Sequence, residues 1–282
     1  MQVSILGHGG AEIGFSNTDQ DIVEKILNNA LDNGLNVIDT AECYVNSEDK
    51  IGDAVSHRRD DYYLFTKCGH ASGLEGEDWN PDMLRRSIDR SLQRLKTDHV
   101  DLLQLHTCDI ETLDRGDAIR VIQEAKEAGK TRYIGYSGDS ETAKYAIELG
   151  VFDSLQTSVN FADQECIDLT LPLAKERGMG VIAKRPVANV AWTYEKAEDA
   201  GYGQTYFERL QELKYLFPDM FDAALRFTIS QDIHVAIVGA SKPERWHTNA
   251  QIVAKGNLDA LTMSWIRDRW KEVATENWVG QG

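Results

Sequence analysis

A rhythm along the chain constrains the fold most. Short apolar, β-rich runs alternate with helical patterns at 3–6, 35–38, 62–66, 100–105, 132–136, 154–157, 180–183 and 234–238. The runs are continuously apolar, as in parallel strands covered by helices. Eight such units predict an α/β fold, a (β/α)8 TIM barrel formed by a single domain over residues 1–282. An open doubly wound sheet that bound a dinucleotide would want G-x-G-x-x-G after its first strand, and Gly7-His8-Gly9-Gly10-Ala11 does not fit.

The helical segments carry end signals. Thr18-x-x-Asp21 resembles a capping box, with Ile22, Ile26, Ala30 and Leu31 as the apolar face and Asn33-Gly34 as the stop. Asn80-Pro81 gives an N-cap and a proline at the first helical position, followed by Leu84, Ile88, Leu92 and Leu95. Further helices are expected over 118–128, 141–149, 166–177, 219–230 and 243–254. Residues 192–217 read as a long loop plus an extra helix after the seventh strand.

The net charge of −16 disfavours non-specific nucleic acid binding and docking to anionic lipid, both of which need basic surface. There is no run of about 18 apolar residues that could span a membrane. Met1-Gln2-Val3-Ser4 shows no secretory signal, and Cys43, Cys68, Cys108 and Cys166 form no C-x-x-C pair. These features predict a cytoplasmic protein with reduced thiols and no metal site.

In a barrel the active face is built on the C-terminal strand ends. Those positions hold Asp39, with Tyr44 in the following loop, then Lys67, His106, Ser137, Gln156 and Asn160. Polar groups ending buried runs are costly unless paired, and Asp, Lys, Tyr and His at one mouth can pair. They can also do chemistry. A lysine ammonium favours the phenolate, and a carboxylate keeps that lysine charged. Lowering a phenol from about 10 to neutrality takes ~3 pH units, or about 4 kcal/mol. The expected result is a general acid matched to neutral pH, with a neutral histidine holding a carbonyl oxygen in line. His8 reads as structural, and Trp79, Trp192 and Tyr194 fall in mouth-side loops.

Taken together, Asp39, Tyr44, Lys67 and His106 resemble the catalytic tetrad of the aldo-keto reductases in order and context. "NVIDTAECYVNSE" looks like that family's Asp–Tyr segment, "FTKCG" its lysine strand and "SLQRLKTDHVDLLQLH" its histidine strand. "AIVGASKPERWHTNAQ" is similar to its cofactor-clasping segment after strand eight. The resemblance implies a barrel that binds NADPH (or NADP+) across its mouth and transfers hydride to a small-molecule aldehyde or ketone. It makes Tyr44 the acid, tuned by Lys67 and Asp39, with His106 orienting the carbonyl. Ser137 and Gln156 would hold the carboxamide. Gly239, Ser241, Lys242, Arg245 and Asn249 would take the adenosine end, and Gly10, Ala11 and Asp39 would also line the cofactor.

The chain departs from that family in four places. Ser137-Gly138 stands where many members have Ser-Asn, and Gly239 where some have lysine. "AKRP" follows strand seven, so Lys184 or Arg185 would have to cover the nicotinamide face. Where the family has an N-terminal β-hairpin closing the barrel bottom, the resemblance leads one to expect only its second half here, as Gln2–Ser4, with a cost in stability. Two other functions compete. One is a cofactor-sensing regulatory subunit on the same fold. The other is a metal-dependent barrel hydrolase, which commonly carries an H-x-H pair that this chain lacks. Loops 108–115 and 187–207 would set substrate choice.

Overall fold

The computed structural model describes residues 1–281. Eight strands run β1 Leu6–Gly9, β2 Val37–Asp39, β3 Tyr63–Cys68, β4 Val100–His106, β5 Thr131–Ser137, β6 Ser154–Ser158, β7 Gly180–Lys184 and β8 Val235–Val238. All pair in parallel and in chain order, and β8 pairs with β1 to close the barrel. Side chains alternate across each strand, so every second residue points into the barrel. The lower interior is filled by Val37, Phe65, Leu102, Ile182, Val235 and Ile237. Two residues further along β2, β3 and β4, the same inward face offers Asp39, Lys67 and Gln104. The register sets Asp39 opposite Phe65, Lys67 opposite Gln104, and His106 opposite Ser137. Polar residues are therefore brought to the C-terminal ends of neighbouring strands.

The first strand lies three residues later than the apolar run at 3–6 suggests. It is Leu6–Gly9, where two glycines mask the β pattern. Gly7 is the inward residue, and a Cβ there would stand 3.1 Å from both Val235 and Val37, so a side chain would crowd the barrel. Gln2–Ser4, expected as half of a hairpin, form no strand. Asn36 ties them down instead: its Oδ1 accepts the Ser4 N–H at 2.7 Å, and its Nδ2 donates to the Gln2 carbonyl at 2.9 Å. A cavity of about 360 Å³ remains at this N-terminal end, lined by Val3, Phe65, Leu102, Ile182 and Val235 among others.

Several helices also differ from expectation. The first long helix, Gln20–Asp32, has Asp19 at its N-cap position without a side-chain cap bond, leaving Thr18 outside it, and Ile22 is exposed while Val23 and Leu27 are buried. Pro172 divides the segment over 166–177 into Glu165–Leu169 and Leu171–Glu176, as a ring without an N–H must. The last expected helix begins at Arg245 rather than Pro243 and runs to Ala254. Ser47–Val55 and Ala260–Val273 are additional helices. Asn80 caps Pro81–Leu95 by accepting the N–H groups of Asp82 and Met83. The insert after β7 contains the extra helix, Gln204–Leu213. Among the described residues no helix is long and apolar enough to cross a membrane.

Candidate active site

The loop after β2 is built to present Tyr44. The Thr40 N–H donates to the Phe65 carbonyl at 2.9 Å and the Glu42 N–H to the Lys67 carbonyl at 3.3 Å, so the loop continues the β2–β3 ladder. The helix Ala11–Phe15 packs directly on it. A Cβ at Gly14 would stand 1.9 Å from the Tyr44 carbonyl oxygen, so only glycine permits this approach. Positive φ angles at Val45 (51°), Thr107 (63°) and Arg185 (55°) follow directly on Tyr44, His106 and Lys184. Such backbone costs of order 1–3 kcal/mol per residue and persists where surrounding bonds over-determine it. At Thr107, the N–H donates to the Ser137 carbonyl at 2.7 Å.

Asp39, Lys67, Tyr44 and His106 come together at the mouth. Lys67 Nζ donates to Asp39 Oδ2 at 2.6 Å and to the Thr40 carbonyl at 2.7 Å, with both side chains buried. Gln104 and Gln156 donate to the two Asp39 oxygens at 3.5 and 3.4 Å. Burial raises the Asp39 carboxyl above its ordinary value, against the pull of the Lys67 charge. Burial would lower Lys67, but Asp39 and Tyr44 hold it above its usual range, so it stays charged. Lys67 Nζ lies 5.1 Å from the centre of the Tyr44 ring, and the His106 ring meets Tyr44 edge-on at 5.8 Å.

The expected lowering of the Tyr44 phenol does not occur. Burial, with Asp39 and Cys43 adding to it, holds the phenol above 10, and Lys67 and Arg185 only partly offset this. Tyr44 therefore keeps its proton at neutral pH. His106 is pushed well below 6.5 by burial and by the charges of Lys67, Lys184 and Arg185, so its imidazole is neutral.

One donor group is invisible to sequence spacing. A carboxylate oxygen of Glu42, Cys43 Sγ and a ring nitrogen of His106 lie within 4.8 Å of one another. Burial pushes Glu42 up to about 8 and Cys43 up to about 12. At neutral pH the pair offers protons rather than anionic ligands. Glu42 Oε1 accepts the His70 N–H at 2.9 Å, while the buried Oε2 has no partner among the described residues.

This carries a stability consequence. A carboxyl raised from 4.5 to about 8 binds its proton more tightly in the folded state, so stability is lost as pH climbs from about 4.5 to about 8. The full effect is on the order of 5 kcal/mol. Glu42→Gln should therefore gain little over wild type at pH 5 and several kcal/mol at pH 8, measured by urea unfolding. Asp163, also raised to about 8 by burial, steepens both curves alike, so the difference between them isolates Glu42. An equal difference at both pH values would contradict this effect.

The candidate cofactor residues divide into two groups. Among the described residues, Ser137 is buried with its Oγ unpartnered, and Asn249 is buried with both side-chain polar atoms unpartnered. Such groups are costly unless something else bonds them, which fits a polar ligand. Gln156 is instead spent inside the barrel on Gln104, which donates to it at 2.8 Å, and on Asp39. Lys184 pairs with Asp139 at 2.9 Å, while Arg185 donates to Ser158 Oγ at 2.8 Å and also to Tyr202 and the Gln281 carbonyl. Asp139, which nothing in the sequence pattern singles out, organises both cations. Gly10 donates its N–H to the Asp39 carbonyl at 2.7 Å, and Ala11 opens the next helix. Ser241, Lys242 and Arg245 are exposed, with Arg245 5.0 Å over the Phe221 ring. Glu12 is a further residue that the sequence pattern does not mark. Any Cβ at Gly239 would come within 2.9 Å of its carboxyl carbon, so a lysine there would displace it. His8 is buried in β1 against Trp246, neutral and lowered to about 4.

A closed parallel barrel that gathers an Asp–Lys pair, a protonated phenol and a neutral imidazole at its C-terminal mouth defines a class, the barrel oxidoreductases. The chain belongs to the aldo/keto reductase family, whose model matches residues 5–271. Carbonyl reduction is general to that family. The chain is 30% identical over 272 residues to the uncharacterized oxidoreductase YqkF of Bacillus subtilis, covering 89% of this chain and 87% of that one. It is 25% identical over 280 residues to the NADH-specific methylglyoxal reductase of Escherichia coli, covering 86% and 85%. Among solved structures it resembles aldo-keto reductase AKR11C1 from Bacillus halodurans in its holo form. That match has a TM-score of 0.79 and 27% identity, and covers 98% of this chain and 95% of that one.

Proposed function

We propose that the protein is an NADPH-dependent reductase of a small aldehyde or ketone. The observation that carries this reading is the juxtaposition of a protonated Tyr44, the buried Lys67–Asp39 pair and a neutral His106. The nicotinamide cofactor supplies the hydride when bound. His106 holds the carbonyl oxygen in place, and Tyr44 gives its proton to that oxygen as the carbonyl carbon accepts hydride. Charge leaving the oxygen is transferred to the phenol oxygen, where Lys67 stabilises it, and Asp39 keeps Lys67 charged and fixed. Ser137 and Asn249, with unpartnered buried polar atoms, would hold the cofactor, and four free thiols fit a cytoplasmic setting.

The test is a panel of aldehydes and ketones with NADPH and NADH, followed by loss of reduced-nicotinamide absorbance. Cofactor binding without turnover of any carbonyl would favour a sensing subunit instead.

The NADPH preference rests on charge. The 2′-phosphate carries about −2 and needs cationic donors. Lys242 and Arg245 would supply them on an otherwise acidic chain, with the neutral Ser241 hydroxyl as a further donor, and Arg245 is the first residue of its helix, where dipole and amides favour an anion. A charge-assisted bond is worth about 1.5–3 kcal/mol, roughly 10- to 150-fold. Arg245→Ala should weaken NADPH by that factor and leave NADH nearly unchanged, read by cofactor fluorescence titration. The Escherichia coli relative is NADH-specific by name, so equal binding of both cofactors by the wild type would overturn this preference alone.

A further inference from the structure

We propose that Cys43 is a positioning residue that sets the tautomer of His106: its thiol donates to Nδ1, so Nε2 carries the proton offered to the substrate oxygen. The inference rests on His106 orienting the carbonyl, as proposed above, and deepens that reading.

Cys43 Sγ lies 3.5 Å from His106 Nδ1, a normal distance for a hydrogen bond involving sulfur. Two proton arrangements fit that contact. In one, S–H donates to a bare Nδ1; in the other, Nδ1–H donates to sulfur. Sulfur is a weak acceptor, whereas a bare imidazole nitrogen is a good one. The thiol also has a proton to give, because burial and the neighbouring Glu42 keep it from ionising. The imidazole has room for only one proton, because burial and the cations Lys67, Lys184 and Arg185 keep it neutral. Glu42 brings a carboxyl oxygen within 4.8 Å of the ring nitrogen and of Cys43 Sγ, but its Oε1 is taken by the His70 N–H, and the neighbouring rings do not compete for Nδ1. His70 and Tyr44 meet it through their rings, at 5.5 and 5.8 Å between centroids. His70 directs its own Nδ1 to Asp78 at 2.9 Å.

The choice decides function. With Nδ1 bare, Nε2–H donates to the carbonyl oxygen. With Nδ1 protonated, the Nε2 lone pair would face the oxygen lone pairs and repel them. The hydrogen bond that one ring nitrogen makes fixes the role of the other. Cys43 immediately precedes Tyr44, so one loop places both the acid and the group that orients its partner. Cys43 transfers no proton to substrate and touches no reacting atom.

The test uses ring-15N histidine-labelled protein and the variants Cys43→Ala and Cys43→Ser. Wild type should show an unprotonated-type Nδ1 and a protonated-type Nε2 at His106, assigned with a His106→Gln control spectrum. Cys43→Ala should shift that pattern towards mixed tautomers and lower kcat by about 3- to 10-fold, the range of one neutral hydrogen bond, with NADPH affinity unchanged. Cys43→Ser, whose hydroxyl can donate, should recover most of both. A protonated Nδ1 in wild type overturns the proposal. So does an unaltered His106 spectrum in Cys43→Ala. The spectra need no turnover, so a protein inactive on carbonyls would refute the reductase reading, while the same two spectra would still decide the tautomer.

Discussion

Tyr44→Phe should bind cofactor as wild type does and lose at least ~10²-fold in carbonyl reduction, the lower end of what a general acid contributes. The substitution removes only the hydroxyl. The ring remains to pack edge-on against His106 at 5.8 Å and against Phe15 at 5.5 Å, so the loop should keep its shape. The loss should fall on kcat and kcat/KM together, because the proton is needed only as hydride arrives. The phenol's raised pKa sharpens the pH expectation. Turnover in wild type should not fall between pH 6 and 9 through loss of the Tyr44 proton, since burial holds the phenol above its ordinary value. Steady-state rates for both proteins across that range, with cofactor binding measured separately, make the check. Near-normal turnover in the phenylalanine variant would end the acid assignment.

What the sequence discloses and what it withholds follow from distance along the chain. Asp39, Lys67 and His106 each end an apolar run, so their placement at one mouth needs only the strand pattern and the barrel's closure. The β1 position escapes that pattern because Leu6–Gly9 has two glycines and a histidine among four residues, a poor match to β propensity. Its need for glycine comes from Val37 and Val235, which are remote in sequence. Asp139 likewise acquires its role from Lys184 and Arg185, and Cys43 from His106, pairings that no local pattern displays. The phenol's pKa departs from expectation for a related reason. The charges near Tyr44 are legible in the sequence, but the depth of burial that outweighs them is a property of the folded mouth.

The Lys67–Asp39 pair should be costly to break from one side and cheaper to remove whole. Both groups are buried, at 2.6 Å, within a cage completed by Thr40, Gln104 and Gln156. Lys67→Met fills similar space with an apolar chain but leaves Asp39 without its counter-charge. One-sided loss of a buried pair destabilises by about 3–5 kcal/mol, a large part of the ~5–15 kcal/mol that holds a typical domain folded. Part of that cost can be escaped if Asp39 takes up a proton, which burial already favours, so the loss should shrink as pH falls towards 5. The double variant Asp39→Asn/Lys67→Met removes both charges and keeps an amide for Gln104 and Gln156 to meet. It should regain at least half of the lost stability while remaining as inactive as the single variant, because nothing is left to stabilise the phenolate that forms on Tyr44. Urea unfolding of wild type, both single variants and the double variant, alongside turnover, separates the two effects. A double variant no more stable than Lys67→Met would show that the charge pair is not what the barrel mouth depends on. A single variant that loses stability but keeps turnover would free Tyr44 from any dependence on Lys67.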